Sequence, residues 1–243
     1  MYQKQLQLAA VWSFLVVGVL MFTGWWAVAN FVPPHLPTAS ADEIATIFRD
    51  NAVPIRIGMT MVMLCAAFVG PATAVIFLQM RRIEGRPYPV LSLSYLICGT
   101  WNIAGLTIPA MFWLIASFRP ERNPDLTQML NDAGWLYFIM VNAVPVLQQV
   151  LLGWCILRDK APVPLFPRWV GFLELWVAIL FLPAALIVFF KTGPFAWNGL
   201  ISFWMIVVVT GFTMLVTLVY LLKAVKREDY PERVAPVGHA VPA

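Results

Sequence analysis

The chain has 243 residues, of which 61% are hydrophobic and only 12% charged, with a formal net charge of +4. Soluble domains carry about 25% charged residues, so this composition excludes an ordinary water-soluble globule and predicts an all-α integral membrane protein. The basic excess is spread along the chain in short loops, which argues for a topology signal and against nucleic-acid binding.

Apart from one Glu, six windows lack Asp, Glu, Lys and Arg altogether: 9–31, 57–80, 87–118, 133–157, 169–190 and 192–222. A spanning helix needs roughly 20 apolar residues, so each window predicts one crossing. The expected fold is a six-transmembrane-helix bundle over residues 1–227, with spans at about 9–31, 57–80, 90–118, 134–157, 169–190 and 197–222. The first span ends near Ala27-Val28-Ala29, a cleavage-like A-x-A. Its apolar stretch is longer than a signal core and holds Trp25 and Trp26, so it reads as an uncleaved helix.

After the first span, Ser40-x-x-Glu43 has the form of a capping box ahead of Ile44, Ile47 and Phe48. After the third, Asn123-Pro124 has the form of an N-cap and first-turn proline ahead of Leu126, Met129 and Leu130. Both trios fall at i, i+3, i+4 and predict two short amphipathic helices in the outer loops, lying on the membrane surface. The shared pattern also admits an internal repeat of three helical hairpins. The short connections Arg81–Pro89 and Arg158–Arg168 predict antiparallel packing of spans two with three and four with five. The end of the chain, 228–243, carries Pro231, Pro236 and Pro242 and reads as a disordered cytoplasmic tail.

Basic residues alternate by loop. Lys4, Arg81, Arg82, Arg86, Arg158, Lys160, Arg168, Lys223, Lys226, Arg227 and Arg233 fall on one side, and Arg49, Arg56, Arg119, Arg122 and Lys191 on the other. The positive-inside rule puts the larger set in the cytoplasm, with both termini, which suits a multi-pass protein of the cell (inner) membrane. Trp25, Trp26, Trp113, Trp135 and Trp197 near the outer ends, with Trp154 and Trp169 near the inner ends, read as aromatic belts at headgroup depth.

Counting excludes many membrane chemistries. His35 and His239 both lie outside the windows, so haem, di-iron and copper sites held by intramembrane histidines are not expected. The windows hold no Lys for a Schiff base, and the chain has no G-x-S-x-G, H-E-x-x-H or P-loop. Cys65, Cys98 and Cys155 are scattered through the spans and read as small apolar residues. No metal, cofactor or catalytic set is expected.

One ionisable residue stands inside a window: Glu174, six residues and about 9 Å past Arg168. A carboxylate at that depth costs a few kcal/mol unless it is protonated, paired or reached by water. Asn102 and Asn142 lie near mid-membrane, while Gln148, Gln149 and Thr217 lie close to the level of Glu174. Asn102, Gly105 and Pro109 share one helical face, as do Asn142, Pro145 and Gln149, and Thr210, Thr213, Thr217 and Tyr220 form a further stripe. Pro71, Pro109, Pro145 and Pro183 place a helix breaker in four spans.

Glu174, Asn102, Asn142, Gln148, Gln149 and Thr217 thus make a candidate ligand-binding seam among helices three to six. The plain alternative is helix association, in which such side chains hydrogen-bond across spans for about 0.6 kcal/mol each and small residues such as Ala66-x-x-x-Gly70 permit close approach. The expected function is non-enzymatic: binding or passing a small lipophilic or amphipathic molecule. An accessory or structural subunit of a larger membrane complex is the alternative, and an intramembrane enzyme using Glu174 as acid or base comes third. Expected partners are membrane lipids, a small lipophilic ligand, and a membrane-protein partner or second copy of the chain.

Overall fold

The computed structural model describes residues 2–85 and 87–227; the tail expected at 228–243 lies outside them. Among the described residues there is helix and no strand. Six helical stretches among the described residues are long and apolar enough to cross a membrane: Tyr2–Val28, Ala52–Glu84, Val90–Phe118, Pro124–Leu157, Arg168–Phe189 and Leu200–Lys226. They are the spans of a polytopic membrane protein.

The first span is α1 (Tyr2–Phe22), which ends in a π-helical turn, Thr23–Val28. A short helix α2 (Ala41–Asp50) precedes the second span, α3 (Ala52–Glu84), and the third is α4 (Val90–Phe118). The fourth is broken into α5 (Pro124–Met140) and α6 (Ala143–Leu157). The fifth runs from α7 (Arg168–Phe181) into a 3-10 stretch, Leu182–Phe189. The sixth starts as a π-helical turn, Leu200–Met205, and continues as α8 (Ile206–Lys226).

Prolines account for two of these irregularities. Pro145 has no N–H for the carbonyl of Val141, and its ring would collide with that carbonyl in an unbroken helix. The fourth span therefore stops at Met140 and restarts at Ala143, with Pro145 in the first turn where a missing N–H is tolerated. Pro183 cannot donate to the carbonyl of Ile179; the N–H of Leu182 takes it instead, and the helix tightens to 3-10. Pro71 and Pro109 lie inside α3 and α4 without ending them.

The spans pack in chain order around a closed ring: α1 on α3, α3 on α4, α4 on α6, α6 on α7, α7 on α8, and α8 back on α1. Two of these crossings bring backbone against backbone. A Cβ at Gly58 on α3 would lie 2.2 Å from the carbonyl oxygen of Gly24, and one at Gly153 on α6 would lie 2.7 Å from that of Gly171 on α7. The expected approach at Ala66-x-x-x-Gly70 is not one of them, since a Cβ at Gly70 would meet nothing within 4 Å.

At the end of the bundle where α1 starts and α8 finishes, charged side chains close off helix termini. The Glu84 carboxylate accepts from the N–H groups of Leu91 and Ser92 at 3.1 Å each, capping the start of α4. Arg82 donates to the carbonyls of Ala224 at 3.1 Å and Arg227 at 2.7 Å, capping the end of α8. Asp159 accepts from the N–H groups of Ala161 and Leu165 and so folds the connection between α6 and α7. This is called the basic end below.

The opposite, aromatic end departs from the sequence expectation in three ways. Trp25, Trp113, Trp135 and Trp197 are buried, not placed at a lipid interface; Trp26, Trp154 and Trp169 are exposed. The buried rings pack on Phe31, Phe48 and Phe203 in one aromatic core. Helix α2 carries the capping box, with the Ser40 N–H donating to Glu43 at 2.7 Å and the Glu43 N–H to Ser40 Oγ at 3.3 Å. Its Ile44 and Phe48 are buried in that aromatic core, so its apolar face meets protein instead of lying on a membrane surface.

The second amphipathic segment is no separate helix but the first turns of α5. There Leu126 and Met129 are exposed while Thr127, Asn131 and Trp135 are buried. In lipid the apolar stripe can face outward, so the polar stripe turns in.

Candidate functional site

A cavity of about 240 Å³ lies at the centre of the ring, and every span contributes to its wall. Its apolar side comprises Phe14 and Val17 of α1, Val69, Ala72 and Ile76 of α3, Leu152 of α6 and Met214 of α8. Its polar side comprises Thr73 of α3, Tyr95 and Asn102 of α4, Gln148 and Gln149 of α6, Glu174 of α7, and Thr210, Thr213 and Thr217 of α8. Towards the aromatic end the bundle is filled by the cluster that includes Val62, Leu106 and Val207; towards the basic end it is filled by that of Ile83, Ile156 and Leu221. The cavity is therefore a partly open chamber between two packed plugs.

Local sequence aims Glu174 inward. On α7, Val170, Gly171, Glu174, Val177 and Ala178 fall at helical spacing and are buried, while Phe172, Trp176 and Ile179 cover the opposite face. The Gly153–Gly171 crossing then sets the level of the site. Gln149 is four residues from Gly153 and Glu174 three from Gly171, so both stand one turn from the crossing on facing antiparallel helices.

Glu174 is 1% exposed. Its Oε1 accepts from the Thr217 hydroxyl at 3.3 Å, whereas its Oε2 has no hydrogen-bond partner among the described residues. The Thr213 hydroxyl, one turn away on α8, is buried and unpartnered as well. Asn102 Nδ2 donates to Gln148 Oε1 at 2.6 Å, and Tyr95 lines the same side of the cavity.

Five of the six candidate residues therefore surround one space: Asn102, Gln148, Gln149, Glu174 and Thr217. Asn142 does not. The break before Pro145 takes it off the face of Gln149, and its Nδ2 donates instead to the carbonyl of Phe181, where α7 gives way to the 3-10 stretch. The threonine stripe reaches the cavity at Thr210, Thr213 and Thr217, but Tyr220 packs on Trp169 with ring centroids 5.5 Å apart.

Tyr95 and Thr73 were not singled out from the sequence. A signal existed for the first, since Tyr95, Gly99 and Asn102 fall at i, i+4, i+7. For the second there was only its being a lone hydroxyl on the buried face of α3. Thr73 packs against Gly99, one turn from Tyr95, since a Cβ at Gly99 would lie 2.1 Å from the Thr73 methyl.

No protein-family model matches this chain, and no match is found for it among curated proteins or solved structures. The chemistry of the chamber must therefore be argued from its own residues. Among the described residues no group of three or more His, Cys, Asp and Glu could hold a metal ion. The one hydroxyl–carboxyl pair in the lining is Thr217 with Glu174, at 3.3 Å. The wall offers one carboxyl group, hydroxyls and carboxamides on a largely apolar surface, which is a means of recognition.

A second polar constellation lies inside the aromatic core, and the sequence did not point to it. His35 Nδ1 is 2.9 Å from Asn131 Oδ1, and the His35 carbonyl accepts from Trp197 Nε1 at 2.7 Å. These bonds tie the connection after the first span to α5 and to the loop before the sixth. Desolvation by burial lowers the His35 pKa from its ordinary value, against the opposing hydrogen bond to Asn131. The indole N–H groups of Trp25, Trp113 and Trp135 have no partner among the described residues.

Proposed function

We propose that the protein binds a small lipophilic or amphipathic molecule in the central chamber and passes it on without chemical change. One observation carries this reading: a buried carboxyl oxygen with no protein partner lines a partly open, mostly apolar space. An unsatisfied buried polar group is costly, and helix association alone would be served as well by a side chain whose atoms are all paired. The packed plugs at both ends favour binding over an open pore. The chamber is partly open as it stands, so a ligand can reach it from one side, and passage onward requires one of the plugs to loosen.

The test is native mass spectrometry on protein released gently from its own membrane. A small-molecule adduct is expected on the wild type and on Asn142→Ala, whose side chain lies outside the chamber. It is expected to be lost from Ala72→Phe, which fills the chamber, and weakened in Thr213→Val, which removes the unpartnered hydroxyl with little change of volume. Thermal unfolding of each variant in the same detergent checks that it is folded. Bare wild-type protein, or an adduct equally abundant on Ala72→Phe, would overturn the proposal.

A further inference from the structure

We infer that the chamber selects a compact lipophilic amine, bound as its ammonium ion against Glu174. The inference rests on the binding role proposed above and adds to it the charge and size of the ligand.

Charge comes first. The segments 9–31, 57–80, 87–118, 133–157 and 192–222 contain no Lys, Arg, Asp or Glu, so none of the five other spans offers Glu174 a counter-charge at the depth of the chamber. On its own helix the nearest cation, Arg168, is about 9 Å away along the axis and is directed at the Leu157 carbonyl, 3.5 Å from its Nη1. Buried charges in proteins are paired, and the partner that the chain leaves out is a cation. A neutral hydrogen-bonding role is already filled in the same wall by Gln148 and Gln149. What an acid adds to them at position 174 is the capacity for a negative charge.

The remaining wall fits the rest of such a ligand. Glu174 Oε2 and the Thr213 hydroxyl are both buried and unpartnered, and both can accept from an ammonium group. Phe14 and Tyr95 line the same space, and aromatic rings attract cations. The other side, Val17, Val69, Ala72, Ile76 and Met214, suits a hydrocarbon body and offers no side-chain oxygen or nitrogen to a bare metal ion. For size, a cavity of about 150 Å³ accommodates benzene; by proportion, 240 Å³ holds about ten non-hydrogen atoms.

The experiment compares three cage compounds of nearly equal shape: 1-adamantylamine, 1-adamantanol and 1-adamantanecarboxylate. Binding to the full chain in nanodiscs of zwitterionic lipid is measured by equilibrium dialysis at neutral pH. The expected result is at least tenfold tighter binding of the amine than of the alcohol, with the carboxylate weakest. In Glu174→Gln the preference of amine over alcohol is expected to fall below about twofold, with the alcohol itself unchanged within that factor. Equal binding of amine and alcohol to the wild type would overturn the amine inference and leave the chamber a neutral lipophile site. An amine preference that survives in Glu174→Gln would overturn it too, by moving the selectivity elsewhere. Failure of all three compounds, together with a bare wild-type protein in the mass spectrometer, would remove the binding role itself.

Discussion

Replacing Gly58 by Ala tests the helix crossing on which the aromatic half of the bundle is built. The added Cβ would stand 2.2 Å from the Gly24 carbonyl oxygen, 2.7 Å from the Ala29 Cβ and 2.9 Å from the Ala29 nitrogen. Ordinary contact begins near 3.4 Å, so the opposing backbone has to retreat by more than 1 Å. That backbone cannot move alone. Trp25, the next residue after Gly24, packs on Trp135 at 5.6 Å, Phe138 at 4.8 Å and Phe203 at 5.8 Å between ring centroids. Overpacking of this kind costs about 1–3 kcal/mol, and that loss is the expectation for Gly58→Ala. Gly105→Ala is the control, because a Cβ there meets nothing within 4 Å. It should be neutral or, by reducing the freedom of the unfolded chain, stabilising by about 0.4–1 kcal/mol. Reversible unfolding by SDS in mixed micelles, followed by far-ultraviolet circular dichroism, gives both values. If Gly58→Ala stays within about 0.5 kcal/mol of wild type, or if both variants lose equally, the backbone crossing does not set the packing.

Three further outcomes follow from individual contacts. Because burial holds the His35 pKa below 6.5, the unfolded chain binds the proton first as pH falls. Stability should therefore decline as pH drops from about 6.5 towards the lowered folded value and level off beneath it; unfolding midpoints across that window, with His35→Gln as the variant lacking the slope, check this. Asn142→Ala removes the donor to the Phe181 carbonyl and should cost about 1–3 kcal/mol, while leaving chamber ligands bound as in wild type, which a melting curve with and without ligand separates. Glu84→Ala uncaps α4 and should cost about 0.5–2 kcal/mol, seen as faster amide exchange confined to Leu91, Ser92 and their neighbours.

Charge spacing marks out the six spans because the bilayer imposes one requirement on all of them, and the capping box at Ser40 marks α2 because its bonds are local. The depth of Glu174, Gln148, Gln149 and Thr217 was readable for the same reason: depth is a count from the nearest charge. What could not be read was which way a residue faces around its helix. In water an apolar stripe points inward, but the spans are apolar all round, so Trp113 and Trp135 look the same in sequence whether they meet lipid or core. The start of α5 differs from its sequence reading in being continuous with the fourth span, with Leu126 and Met129 outside and Asn131 inside. Asn142 failed for another reason. Asn142 and Gln149 share a face only on a continuous helix, and the break that Pro145 imposes rotates everything before it.

The closed ring has a consequence for how the chain assembles. Five of its six helix contacts join spans that follow one another in sequence, so each can form as soon as the later span enters the bilayer. The sixth, between α1 and α8, joins the first span to the last and carries the largest loop-closure entropy of the set. It is also thinly supported from one side, since α1 buries only Val11 and Ser13. During synthesis the chamber lacks the wall of Thr210, Thr213, Met214 and Thr217 until α8 arrives, and the contact of α8 with α1 then closes the ring.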